Sequence, residues 1–170
     1  MSKVITEKVR FAFLNIFKPR AAAEGQTPKY SVCLLIQKSD EITIQKIRRA
    51  IEAAKETAKG KWGKIPHYLK TPLRDGDEEK PDRPEFRGCY FLNANSIKKP
   101  GVVDQDLNPI LDPSELYSGC YGRASINFYP YSVSGNQGIA VGLNNLQKLA
   151  DGEAFGGRSK AEDEFADFLC

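Results

Sequence analysis

Apolar and polar positions along the chain alternate first with the period of a strand, then with that of a helix, then again with that of strands. Residues 4–17 predict a first strand, in which Val9, Phe11 and Phe13 alternate with Arg10, Ala12 and Leu14. Lys18-Pro19-Arg20 ends it, and a loop carrying Gly25 and Pro28 follows. Tyr30–Lys38 predicts a second strand whose run Val32-Cys33-Leu34-Leu35-Ile36 is buried on both faces. After Ser39-Asp40, a helix cap by residue type, Ile44, Ile47, Ile51, Ala54 and Ala58 recur at three and four residues. That spacing predicts one amphipathic helix ending near Gly60. A third strand is expected over Phe86–Asn95, a fourth over Leu116–Tyr131, and a closing strand at Ile139, Val141 and Leu143. Asn144–Leu149 reads as a short helix.

The fourth strand is unusual in its polar face. Cys120, Gly122, Ala124, Ile126 and Phe128 form an apolar side. Tyr117, Tyr121, Arg123, Ser125, Asn127, Tyr129 and Tyr131 form the other, without an acid. Tyrosines also favour strands simply because they pack well there. A row of aromatic rings beside a guanidinium equally suits unpaired bases and their phosphates. The segment 59–74 offers the same chemistry on what reads as a loop. Lys61, Lys64, Lys70 and Arg74 are spaced to meet phosphates, and Trp62 and Tyr68 to stack on bases. The competing reading makes Trp62 a plug on the domain's flank. Arg87, Lys98 and Lys99 add positive charge around the third strand.

Charge is divided along the chain. Residues 1–74 carry 16 Lys and Arg against 6 Asp and Glu, and the remainder carries 9 against 16, within a net charge of +3. A basic half followed by an acidic half points to a polyanion partner and an acidic segment that competes with it. Residues 75–85 read as an exposed acidic loop. Asp104, Asp106 and Asp112 are the one cluster that suggests a metal-dependent nuclease. Their setting, Asp-Gln-Asp-Leu-Asn-Pro, is ordinary turn chemistry. The last ten residues carry Glu162, Asp163, Glu164 and Asp167 with Phe165 and Phe168 and no base, and read either as a frayed terminus or last helix with two buried Phe, or as a nucleic-acid-mimicking tail.

Cys33, Cys89, Cys120 and Cys170 are far apart and His67 is the one histidine, so zinc spacing is absent. Reduced thiols and the lack of a long apolar run fit a cytoplasmic protein that does not enter membranes.

Taken together, Val9–Pro19, Pro28–Val32, the Asp40–Lys59 helix, Leu116–Tyr121, Gly138–Lys148 and the acidic tail resemble the phage single-stranded-DNA-binding proteins of the OB-fold type. The resemblance implies a mainly β fold with one helix after strand two, an OB-type Greek-key barrel with long loop insertions. Residues 1–157 would form the DNA-binding domain and 158–170 the flexible tail. It implies a non-enzymatic protein that needs no cofactor and coats unpaired DNA in phage replication or recombination. Its expected partners are single-stranded DNA, phage or host replication proteins met through the tail, and, in assembly, a second copy as a homodimer. The residues expected on DNA are Lys61, Trp62, Lys64, Tyr68, Arg87, Lys98, Lys99, Tyr121, Arg123, Tyr129 and Tyr131. The alternatives are a metal-dependent nuclease or resolvase and a structural β-barrel protein of the particle.

Overall fold

The computed structural model describes residues 2–155 apart from 22, 68 and 134. In chain order it contains β1 (Ser2–Ile5), β2 (Val9–Arg20), β3 (Lys29–Gln37), α1 (Glu41–Trp62), β4 (Arg74–Asp75), α2 (Gly76–Glu79), β5 (Cys89–Ser96), β6 (Gly101–Val103), β7 (Tyr121–Val133) and β8 (Asn136–Ala150). Single 3-10 turns lie at Pro84–Phe86 and Pro113–Glu115.

Five of these strands close on themselves. β7 pairs with β2, β2 with β3, β3 with β5, β5 with β8, and β8 with β7. All these pairings are antiparallel except β5 with β8, which run parallel. Two seams are short: β2 meets β7 at Val9 and Arg10, and β5 meets β8 only at Asn95 and Gly142. The result is a ring in the order expected for an OB Greek key, without the even pairing of a regular barrel. Inward residues fill it, among them Phe11, Leu34, Ile36, Leu92, Ala94, Ala124, Ile126 and Leu146, each at most 1 % exposed.

The helix follows from its sequence. The Asp40 carboxylate accepts the Thr43 N–H at 3.1 Å and so caps the first turn. Ile44, Ile47, Ile51, Ala54 and Ala58 are the buried stripe, and α1 packs on β1 and β7. The helix runs past Gly60, however, and ends at Gly63, whose φ of 79° is the left-handed geometry that a glycine cap supplies. Lys61 and Trp62 are therefore helical, not part of a loop.

Other expectations are corrected in the same way. The first strand is two strands, because Thr6 turns inward and exchanges hydrogen bonds with Ala124. Asn144–Leu149 is strand, continuous with β8, since β7 pairs with it through two register shifts that absorb an extra residue each. Phe86 lies in a 3-10 turn, and β5 starts at Cys89. Part of the acidic 75–85 segment is folded: α2 sits there, and Lys38 bonds both Asp75 and Asp77.

A second, smaller apolar cluster lies outside the ring. Ala12, Cys33, Leu35, Cys89 and Phe91 point outward from β2, β3 and β5, with Phe86 and Phe155 packed over them. Burial pushes the Cys33 thiol up to about 12, so it is an inert filler there. This cover stops partway along the strands, and what lies beyond it is the site.

Candidate nucleic-acid interface

Pairing register sets the outer face of the ring in rows. Leu35 lies opposite Phe91, Cys33 opposite Asn93, and Ser31 opposite Asn95. Along β3 and β5 the outer surface thus passes from apolar and covered to polar and open. The last row extends around the ring: Asn15 on β2, Ser31 on β3, Asn95 on β5, Gly142 on β8 and Asn127 on β7. Asn15 Nδ2 donates to Ser31 Oγ at 3.1 Å. Gly142 leaves room for the Asn127 amide, whose Oδ1 would lie 2.7 Å from any added Cβ.

Over this row runs an open groove in two connected parts. One, of about 740 Å³, is lined by Asn15, Arg20, Lys29, Ser31 and Asn95 together with Gln26 and Thr27 from the β2–β3 loop. The other, of about 270 Å³, continues from Lys29 and Asn95 to Lys98, Asn127, Tyr129 and Asn144. Among the described residues, no carboxylate lines either part. Arg20, Lys29 and Lys98 are exposed cations, Tyr129 is an exposed ring, and the asparagine amides offer both donors and acceptors. Such a lining favours a polyanion with flat, hydrogen-bonding groups.

Of the residues singled out in the sequence, Lys98 and Tyr129 line this groove. Lys99 neighbours it and lies 5.8 Å from the Phe17 ring. Tyr131 shares the outward face of Tyr129 at the hairpin end, opposite Gly138. Tyr121 and Arg87 belong to a different cleft, of about 570 Å³, together with Glu7, Asp40 and Glu85. There Tyr121 is covered by cations of its own chain, Arg10 at 5.2 Å and Lys8 at 5.5 Å. Arg123 is 3.9 Å from Glu7. Lys61, Trp62 and Lys64 stand together at the C-terminal end of α1. Tyr68 and the tail residues Glu162, Asp163, Glu164, Phe165, Asp167 and Phe168 lie outside the described residues. The tyrosine row is thus not one platform: Tyr121 lies in the cleft with Glu7 and Glu85, and Tyr129 in the groove.

The sequence reading missed Asn15, Arg20, Lys29, Ser31, Asn95, Asn127 and Asn144. A signal was present: Asn is disfavoured in strands, yet it recurs on the outward positions of these. The three aspartates read as a metal option act in turns. Asp104 Oδ1 accepts the N–H groups of Asp106 and Asn108, and Asp112 accepts that of Ser114.

Ring order, helix position and a groove across the strands lined by cations and amides define an OB-type protein with a surface path for an anionic strand. The chain belongs to the family described as Enterobacter phage Enc34, ssDNA-binding protein, which matches residues 2–169. Putative protein p50 of Acyrthosiphon pisum secondary endosymbiont phage 1 is 32% identical, over 97% of this chain and 93% of that protein. The single-stranded DNA-binding protein from bacteriophage Enc34, solved in complex with ssDNA, superposes with a TM-score of 0.80. That match covers 91% of this chain and 90% of the other at 26% identity. Bacteriophage T7 gp2.5, a single-stranded DNA-binding protein, shares the fold with a TM-score of 0.65 at 16% identity, over 98% of this chain and 94% of that one.

Proposed function

We propose that this protein binds unpaired DNA without sequence preference during phage replication and recombination, in the host cytoplasm, as a coating protein rather than a catalyst. The observation that carries the reading is the groove that crosses β2, β3, β5, β8 and β7, with no carboxylate among the described residues that line it. It lies on the strand face and β2–β3 loop by which OB folds take up oligonucleotides. Arg20, Lys29, Lys98 and Lys99 hold phosphates, Tyr129 and Tyr131 stack on bases, and Asn15, Asn95 and Asn127 bond base edges or sugars. Lys61, Trp62 and Lys64 extend the path where a longer strand runs on past the hairpin. Tyr121, Arg87 and Arg123 take a lesser part, since acids share their cleft. The acidic tail competes with DNA for the groove and, once displaced, meets replication proteins.

The test is a titration of labelled oligo-dT and a matching duplex at two salt concentrations with EDTA present. Tight binding of the single strand, weak binding of the duplex and a steep salt dependence are expected. Equal or absent binding to both overturns the reading.

A further inference from the structure

We propose that Phe13 is a nucleobase-stacking residue at the upper end of the groove, with Arg83 as the cation beside the stacked base. The inference rests on the single-strand reading above and adds to it a position outside the groove lining.

Between the pairs Ala12–Cys33 and Asn15–Ser31, β2 advances three residues while β3 advances two. The extra residue is a bulge, and it puts both Ala12 and Asn15 on the outer face. Phe13 takes the strain: its φ is 49°, a left-handed backbone that an aromatic residue rarely adopts. Its N–H leaves the ladder and donates to Ser118 Oγ at 2.9 Å. Strained backbone of this kind persists where surrounding structure enforces it, and it concentrates at binding sites.

The strained position covers Phe86, which is 2% exposed, yet leaves Phe13 itself 52% exposed. The two rings lie 6.3 Å apart at 24°, so Phe86 backs Phe13 and fixes its plane. The Arg83 guanidinium lies over the Phe13 ring, 5.8 Å from its centroid, on a side chain that is 56% exposed and also reaches Glu85 at 3.3 Å, so it is free to swing from the ring to a phosphate when a base stacks there. The location is continuous with the groove, because Asn15, which bonds Ser31, also approaches the Phe13 carbonyl at 3.5 Å. A rigidly backed, half-exposed ring beside a cation, one step above a polar row, offers an unpaired base a π-face and its phosphate a charge.

The experiment compares wild type, Phe13→Asn, Phe13→Tyr and Arg83→Ala on labelled oligo-dT at two salt concentrations. Asn tolerates the left-handed backbone, so Phe13→Asn removes the ring and keeps the bulge. Phe13→Asn is expected to bind about five- to a hundred-fold more weakly with an unchanged salt slope. Phe13→Tyr is expected to bind as wild type, and Arg83→Ala to lower the slope by about 0.7. If Phe13→Asn is unfolded at the assay temperature, Phe13→Leu, which keeps Phe86 covered, gives the same comparison. Wild-type affinity in the ring-less variant, or an equal loss in Phe13→Tyr, overturns the proposal while leaving the single-strand reading intact. Failure of the wild-type protein to bind oligo-dT overturns the reading itself.

Discussion

Replacing Arg20, Lys29 and Lys98 together by alanine removes the positive charges that line the groove. All three are exposed, so the melting temperature should hardly move. Each phosphate held on a single strand contributes about 0.7 to the slope of log affinity against log salt. Three lost contacts therefore flatten that slope by about 2. Between about 50 and 200 mM salt, a fourfold change, the wild type's advantage over the variant should shrink by about 20-fold. Fluorescence anisotropy of labelled oligo-dT across that range measures both slopes. If the variant's slope equals that of the wild type, these cations touch no phosphate and the strand follows another path.

Deleting residues 161–170 should leave the melting temperature unchanged and tighten binding to oligo-dT, most strongly at low salt; an unchanged affinity would refute competition by the tail. Ile126, fully buried in the ring, should cost about 2–5 kcal/mol when cut to alanine, read from urea unfolding. Hydrogen bonds from Lys38 hold the Asp75 and Asp77 carboxyls below their usual range. A carboxyl depressed in the fold contributes stability at neutral pH and loses it as pH falls below about 4. Lys38→Met should therefore melt lower at pH 7, yet lose less melting temperature than wild type on acidification. An equal loss in both would show that these pairs do not couple to stability.

Much of the fold was legible because its signals are local. The Asp40 cap, the isoleucine and alanine stripe of α1, the doubly buried run of β3 and the alternation of Gly122–Phe128 are each written within one element. What escaped depends on partners. The bulge at Phe13 and the two shifts in β8 exist only through pairing, so a period counted along one strand passes over them. Gly60 looked like a helix end, but helix geometry tolerates it and Gly63 supplies the left-handed cap. The groove was illegible for a similar reason. Asn15, Ser31, Asn95 and Asn127 are neutral, come from four strands and become neighbours only when the ring closes. The tyrosines and lysines drew notice because their chemistry is conspicuous, and the fold places them on separate surfaces.

The one parallel seam of the ring, between Asn95 and Gly142, makes it a belt with its buckle at the middle of the groove. On the path proposed for DNA, a strand held by Lys29 on one side and by Tyr129 on the other lies across that buckle and fastens it. Binding there favours the closed ring by mass action, with a stabilisation that grows as the logarithm of free ligand over its dissociation constant. The same coupling acts in reverse: whatever weakens the Asn95–Gly142 seam weakens the hold on the strand that crosses it.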